Sequence, residues 1–193
     1  EYKCENVFGI KSILKMIIED SFFTTISSGG FREFLPESNK IIENHNISNW
    51  NYEEQNSTLC SEKNTINIVY MGYIRYNVEN LLFLNGIKDC CNLFTTYLGI
   101  YDIFFNVNKS INLKNKNVSW GGKFKNEEKP ILYKNYDMIL SAYGSNHIST
   151  KTLLPNRLYD GILFKKPLIA SKHTYLGYLV EKFDVGVTIN IYD

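Results

Sequence analysis

The chain has 193 residues, of which 44% are hydrophobic, 21% charged and 15% aromatic, a composition that supports a sizeable packed core and argues against disorder. Lys and Arg (21) nearly balance Asp and Glu (20), so no net field favours a polyanion and a nucleic-acid partner is not expected. No apolar run reaches the roughly 18–20 residues that a membrane span needs, and the opening "EYKCENVFGIKS" does not make a signal peptide.

In chain order, "VFGIKSILKMIIED" places Ile10, Ile13, Leu14, Ile17 and Ile18 at helical spacing. "SFFTTISS" predicts a strand broken by Gly29 and Gly30, "FREFLP" a short helix stopped by Pro36, and "KIIENHN" another short strand. From Ile47 to Asn64 the chain is polar and rich in Asn, Ser and Glu, as a linker or exposed loop would be.

Beyond that stretch the rhythm becomes regular. "TINIVYMG" predicts a buried strand, "VENLLFLNGIKD" a helix, "NLFTTYLG" a strand and "IYDIFFNVNKS" a helical or irregular link. "NVSWGGKF" follows as a strand, "EKPILYKNY" as a short helix and "DMILSAYG" as a strand. A helix in "LLPNRLYDGILF", the strand "PLIAS", the helix "TYLGYLVEKFD" and the strand "VGVTIN" complete the series. Apolar strands alternating with helices predict an α/β fold, a doubly wound parallel sheet covered on both faces, over residues 65–193. Residues 1–64 are expected to close a preceding domain, and the chain as a whole is expected to be a fragment of a longer one.

In such sheets ligands bind beyond the carboxyl ends of the strands, and five places along that edge, one helix start and four strand ends, carry suggestive residues. Pro155 suits the first position of a helix, leaving the N–H groups of Asn156, Arg157 and Leu158 at its positive end. Arg157 adds a planar fork for phosphate oxygens, and Asp160, one turn on, can accept from a ribose diol. Both also fit the solvated face of an amphipathic helix. At the second, a strand ends in Gly72, with Arg75 in the following turn, and lacks both the dinucleotide fingerprint and the P-loop pattern. Gly121 and Gly122 close a third, where Lys123 and Phe124 can border a base or simply form a turn and a core contact. Tyr143 and Gly144 end a fourth and can line a sugar pocket; His173 ends a fifth, before a helix N-terminus. Cys4, Cys60, Cys90 and Cys91 have no metal spacing and do not combine with His45, His147 or His173, so no metal site and reduced thiols are expected.

The region from Thr65 onward resembles the donor-binding C-terminal half of a GT-B-fold glycosyltransferase, of the retaining group that builds bacterial capsular and surface polysaccharides. "LPNRLYDGILFKKPLIAS" carries most of the likeness, with Asp160 seven residues before Pro167, where that family has a ribose-binding glutamate. A first glutamate would fall near Thr152, which is no carboxylate. Arg75 resembles the family's phosphate-binding arginine, but no lysine follows it among residues 77–80, and "GGKF" is similar to the segment that borders the base. "SFFTTISSGGFREFLPESNKIIENHN" resembles the close of the acceptor-binding N-terminal domain. The resemblance implies sugar transfer from a UDP- or GDP-sugar to a saccharide or lipid-linked acceptor, without metal or other cofactor. Arg75 and Arg157 would stabilise the leaving diphosphate. Gly72, Lys123, Phe124, Asn156 and Asp160 would hold the nucleotide, and Tyr143, Gly144 and His173 the donor sugar. It also implies a cytoplasmic enzyme, with peripheral association at the inner face of the membrane as an expectation. A sugar-nucleotide epimerase or hydrolase, or a nucleotide-binding module without chemistry, are the competing readings.

Overall fold

The computed structural model describes residues 5–47, 64–101 and 117–192. Cys4, Cys60, most of the polar stretch after Ile47 and most of "IYDIFFNVNKS" lie outside them. Among the described residues Cys90 and Cys91 are free thiols, no helix is long and apolar enough to cross a membrane, and no three His, Cys, Asp or Glu side chains group as a metal site would require.

The front of the chain forms helix α1 (Glu5–Asp20), strand β1 (Thr24–Ile26), a 3-10 turn over Gly29–Phe34 and strand β2 (Ile41–Glu43). β1 and β2 pair in parallel as a small sheet of their own. Of the apolar face predicted on α1, Ile18 is buried with Ile26 and Ile41, whereas Ile10, Ile13 and Ile17 are exposed. The described residues offer that helix only this small cluster to pack on.

The remainder alternates as expected. β3 (Ile66–Ile74) leads to α2 (Asn77–Gly86), β4 (Leu93–Tyr101) and β5 (Val118–Gly122). A 3-10 turn runs into α3 (Lys129–Tyr133), then β6 (Met138–Ser141), α4 (Ile148–Thr152) and α5 (Asn156–Leu163). β7 (Leu168–Ser171), α6 (Tyr175–Lys182) and β8 (Gly186–Ile189) complete it. The strands make one six-stranded sheet in the order β5-β4-β3-β6-β7-β8, with every pairing parallel.

Successive residues of β3 show how the sheet is covered. Ile68 and Tyr70 face one core with Phe83 and Leu84 of α2, while Val69 and Met71 face another with Tyr133 of α3 and Phe164 after α5. A strand buried on both faces must be apolar at consecutive positions, which is why it reads as a run rather than an alternation. A third cluster, Leu158, Leu168, Ala170, Leu176 and Val180, binds α5 and α6 to β7. In the strand order the chain steps outward from β3 through β4 to β5, then returns to the other side of β3 with β6. The switch point therefore lies between β3 and β6, and the cleft beyond their carboxyl ends is where a doubly wound sheet offers a binding site.

Candidate functional site

A cavity of about 410 Å³ opens at that switch point, lined from the β3 end by Tyr70, Met71, Gly72, Tyr73, Arg75 and Tyr76 and from the β6 end by Tyr143. The rest of its lining comes from Phe124, Asn126 and Lys129 ahead of β6 and from Leu153, Pro155, Asn156, Arg157 and Asp160 beyond it. Seven of the residues that the sequence singles out thus meet in one place: Gly72, Arg75, Phe124, Tyr143, Asn156, Arg157 and Asp160.

The β3 end is shaped by two glycines. Gly72 has φ +129° and is paired in register with Gly99, where a Cβ would stand 1.7 Å from the Gly72 carbonyl oxygen. The strands can approach that closely only if position 99 carries no side chain. Past the strand, Tyr76 holds a left-handed conformation (φ 60°, ψ 61°) as it caps α2. A bulky residue stays there only if its surroundings force it. Asn80, 1% exposed, does so by donating from Nδ2 to the carbonyls of Arg75 (2.6 Å) and Tyr76 (2.9 Å). The turn that carries Arg75 is thereby pinned, while its guanidinium lies exposed above the Tyr73 ring at 4.6 Å.

Across the cavity, Pro155 is the cap of α5 rather than its first residue, with the extended values φ −76° and ψ 154°. The Leu158 N–H is not free at the helix end as the sequence suggests, because it donates to the Pro155 carbonyl at 3.0 Å. Asn156 accepts at Oδ1 from Asn46 Nδ2 at 2.8 Å, and His45 Nδ1 meets the Tyr159 hydroxyl at 2.9 Å. These contacts tie the segment after β2 to α5. Ser28 Oγ also donates to the carbonyl of Thr152, the position where no carboxylate is found, and a Cβ on Gly30 would lie 2.7 Å from that same oxygen.

Arg157 is 7% exposed. Its guanidinium covers the Tyr70 ring at 3.7 Å and faces Tyr143 at 4.9 Å, and Nη1 donates to the Leu140 carbonyl at 3.0 Å. Burial works against its charge, but Tyr143 and Tyr70 outweigh that and hold its pKa above the ordinary arginine value. Asp160, 3% exposed, accepts from Lys129 Nζ at both carboxylate oxygens (3.2 Å at Oδ1, 2.9 Å at Oδ2). The Tyr133 hydroxyl adds a bond to Oδ2 at 2.9 Å. Burial first, then the Asp160 carboxylate, push the Tyr133 hydroxyl well above the ordinary tyrosine range, so it is a donor at neutral pH.

Three sequence candidates lie outside this cavity. Lys123 and His173 are exposed, and His173 takes a positive φ of 60° in the turn before α6. Gly144 gives its N–H to Ser171 Oγ at 2.8 Å and is pressed against Tyr192 and Glu79. Conversely, Lys129 and Tyr133 belong to the site although the sequence does not single them out. Their only sequence signal is that "EKPILY" is a helix start shortly after a glycine-ended strand, with Lys129 as its first residue and Pro130 next.

No family model and no curated relative matches the sequence. Among solved structures, the fold is similar to that of Anabaena Alr3699/HepE in complex with UDP-glucose, with a TM-score of 0.68 at 12% identity over 95% of this chain and 54% of that one. Sucrose-phosphate synthase from Thermosynechococcus elongatus gives 0.64 at 14% identity over 98% of this chain and 51% of the other. A glycosyltransferase from Rickettsia africae gives 0.61 at 14% identity over 98% and 53%. The chain spans about half the length of each of these structures. The expected likeness to GT-B-fold glycosyltransferases holds at the level of fold.

Proposed function

We propose that the protein is the donor-binding part of a glycosyltransferase, and that the cavity at the β3–β6 switch point takes the ribose and diphosphate of a nucleotide-sugar. The observation that carries this reading is the charge that lines the cavity. Among the described residues that line it, Arg75, Lys129 and Arg157 oppose the single carboxylate of Asp160, a net of two positive charges. A nucleotide-sugar brings about two negative charges on its diphosphate, and cations held in a partly buried cleft pair with such oxygens more strongly than in water. UDP is the first nucleotide to consider, since UDP-glucose is bound in the HepE structure.

In the reaction, the bond between the anomeric carbon and the diphosphate oxygen breaks and an acceptor hydroxyl oxygen bonds to that carbon. The hydroxyl proton leaves on the departing diphosphate. Arg75, exposed on its pinned turn, is the cation free to follow the growing charge on the leaving group. Arg157 fixes the electrostatics behind it from a buried seat. Removing one preorganised donor of this kind costs on the order of 3 kcal/mol in the barrier. Neither step calls on a metal or other cofactor. Residues 1–64 belong on this reading to the acceptor side and residues 65–193 to the donor side, with a saccharide or lipid-linked acceptor in surface polysaccharide synthesis at the inner face of the membrane. Asp160 has most of its acceptor capacity committed to Lys129 and Tyr133 and is the one acid among the described residues that line the cavity, which disfavours a hydrolase or epimerase that needs a free carboxylate base.

The reading is tested by saturation-transfer NMR on UDP-glucose, GDP-mannose and their free sugars. Transfer to the ribose and base protons of one nucleotide-sugar, with none to the free sugars, is the expected result. Transfer to the sugars alone would replace the donor site with a saccharide site, and release of free sugar from the donor without an acceptor would favour a hydrolase.

A further inference from the structure

The pair formed by Lys129 and Asp160 has a feature that the donor reading does not use. Among the described residues, Oδ2 of Asp160 already accepts from both Lys129 and Tyr133, whereas Oδ1 accepts from Lys129 alone. A carboxylate oxygen has room for about two hydrogen bonds, so Oδ1 keeps one lone pair. An ammonium carries about three N–H donors, and Lys129 spends two on Asp160, which leaves one. Both side chains line the cavity, and both are largely withdrawn from water, at 17% and 5% side-chain exposure.

The geometry points to Lys129 as a specificity-determining residue: with Asp160 it presents one acceptor and one donor side by side, a pattern matched to the two neighbouring hydroxyls of a ribose. One hydroxyl donates to Oδ1, and the other accepts from the ammonium. This rests on the nucleotide reading and deepens it, because a carboxylate alone would treat both hydroxyls as donors. Tyr133 works differently. Its bond to Oδ2 keeps the carboxylate turned, so it is a positioning residue that holds both hydroxyl contacts equally.

The test is calorimetric titration of the protein with UDP, 2′-deoxy-UDP and 3′-deoxy-UDP, repeated for Lys129→Met, Lys129→Arg and Tyr133→Phe. The wild type is expected to prefer UDP over each deoxy analogue by about tenfold, the worth of one hydrogen bond to a charged group. Lys129→Met is expected to erase the preference against one deoxy analogue and keep the other. Lys129→Arg retains the ion pair and the fold, but its planar fork covers both carboxylate oxygens. It is expected to lower the preference against both analogues, which keeps the inference open to refutation should the methionine variant fail to fold. Tyr133→Phe is expected to weaken both contacts together. An equal loss of all three ligands in Lys129→Met, with discrimination unchanged, would overturn the inference while leaving nucleotide binding intact. No binding of any of the three by the folded wild type would overturn the nucleotide reading and the inference with it.

Discussion

Arg157 can serve the fold, the ligand or both, and replacing it separates these roles. In Arg157→Leu the side chain keeps its bulk against Tyr70 but loses the charge. A desolvated cation over an aromatic ring is worth about 2 kcal/mol, and here the nearer ring lies at 3.7 Å. The Leu140 carbonyl, now without its 3.0 Å donor, adds roughly 1.5 kcal/mol, offset in part by the apolar leucine. The expected loss is about 3 kcal/mol of unfolding free energy. With a urea m-value of about 2 kcal/mol/M, the midpoint should fall by roughly 1.5 M with the slope unchanged. Arg157→Lys keeps the charge but neither the planar stack nor the fork, and should lose nearly as much. A midpoint shift below about 0.3 M in either variant would refute the reasoning, since it would mean that the guanidinium contributes little to the fold.

The remaining predictions use other readouts. Asp160→Asn leaves Lys129 without its ion-pair partner in a mostly buried site (side-chain exposure 17% and 5%), and should cost about 3 kcal/mol, seen as a drop of roughly 6–12 °C in thermal denaturation. Gly99→Ala, whose Cβ would sit 1.7 Å from the Gly72 carbonyl, should abolish the soluble fold or cost more than about 3 kcal/mol, whereas Gly72→Ala meets open space and should cost about 1–2 kcal/mol through its φ alone. Equal effects of the two alanines on urea unfolding would contradict the β3–β4 packing. Tyr97, Tyr133 and Tyr143 all titrate above the ordinary tyrosine range, chiefly through burial. The folded state therefore keeps protons that the unfolded state releases, so stability is complete below about pH 10 and falls above it by up to roughly 4 kcal/mol per pH unit for the three together. Tyr97→Phe should reduce that slope by about a third in urea titrations at rising pH.

Much of the fold is legible in the sequence because burial on both faces leaves an uninterrupted apolar run. "NIVYM" and "PLIAS" fall on β3 and β7, and Gly72 and Tyr143 fall near the carboxyl ends that meet at the switch point, although β3 runs past Gly72 to Ile74. The short helix α4 is not legible, since "ISTKT" has neither the length nor the apolar period to announce itself. The site is legible only in part. Arg75 and Asp160 follow from their place after a strand and in a helix, but the partners of Asp160 do not. Lys129 and Tyr133 come from α3, 31 and 27 residues earlier, and reach the carboxylate only because β6 and α5 fold back beside it. Pairing of that kind is a tertiary fact with no local signal. The same holds for Arg157, whose position suggests a phosphate fork, while its stacking on Tyr70 and its bond to Leu140 depend on how α5 lies against β6.

Calorimetric titration of the protein with UDP and GDP, beside Arg75→Ala and Asp160→Ala, tests the nucleotide site most directly. Saturable binding of one nucleoside diphosphate, weakened about tenfold or more by each substitution, is the predicted result. Absence of heat from both nucleotides at millimolar concentration, with the protein folded, would contradict a nucleotide site between β3 and β6.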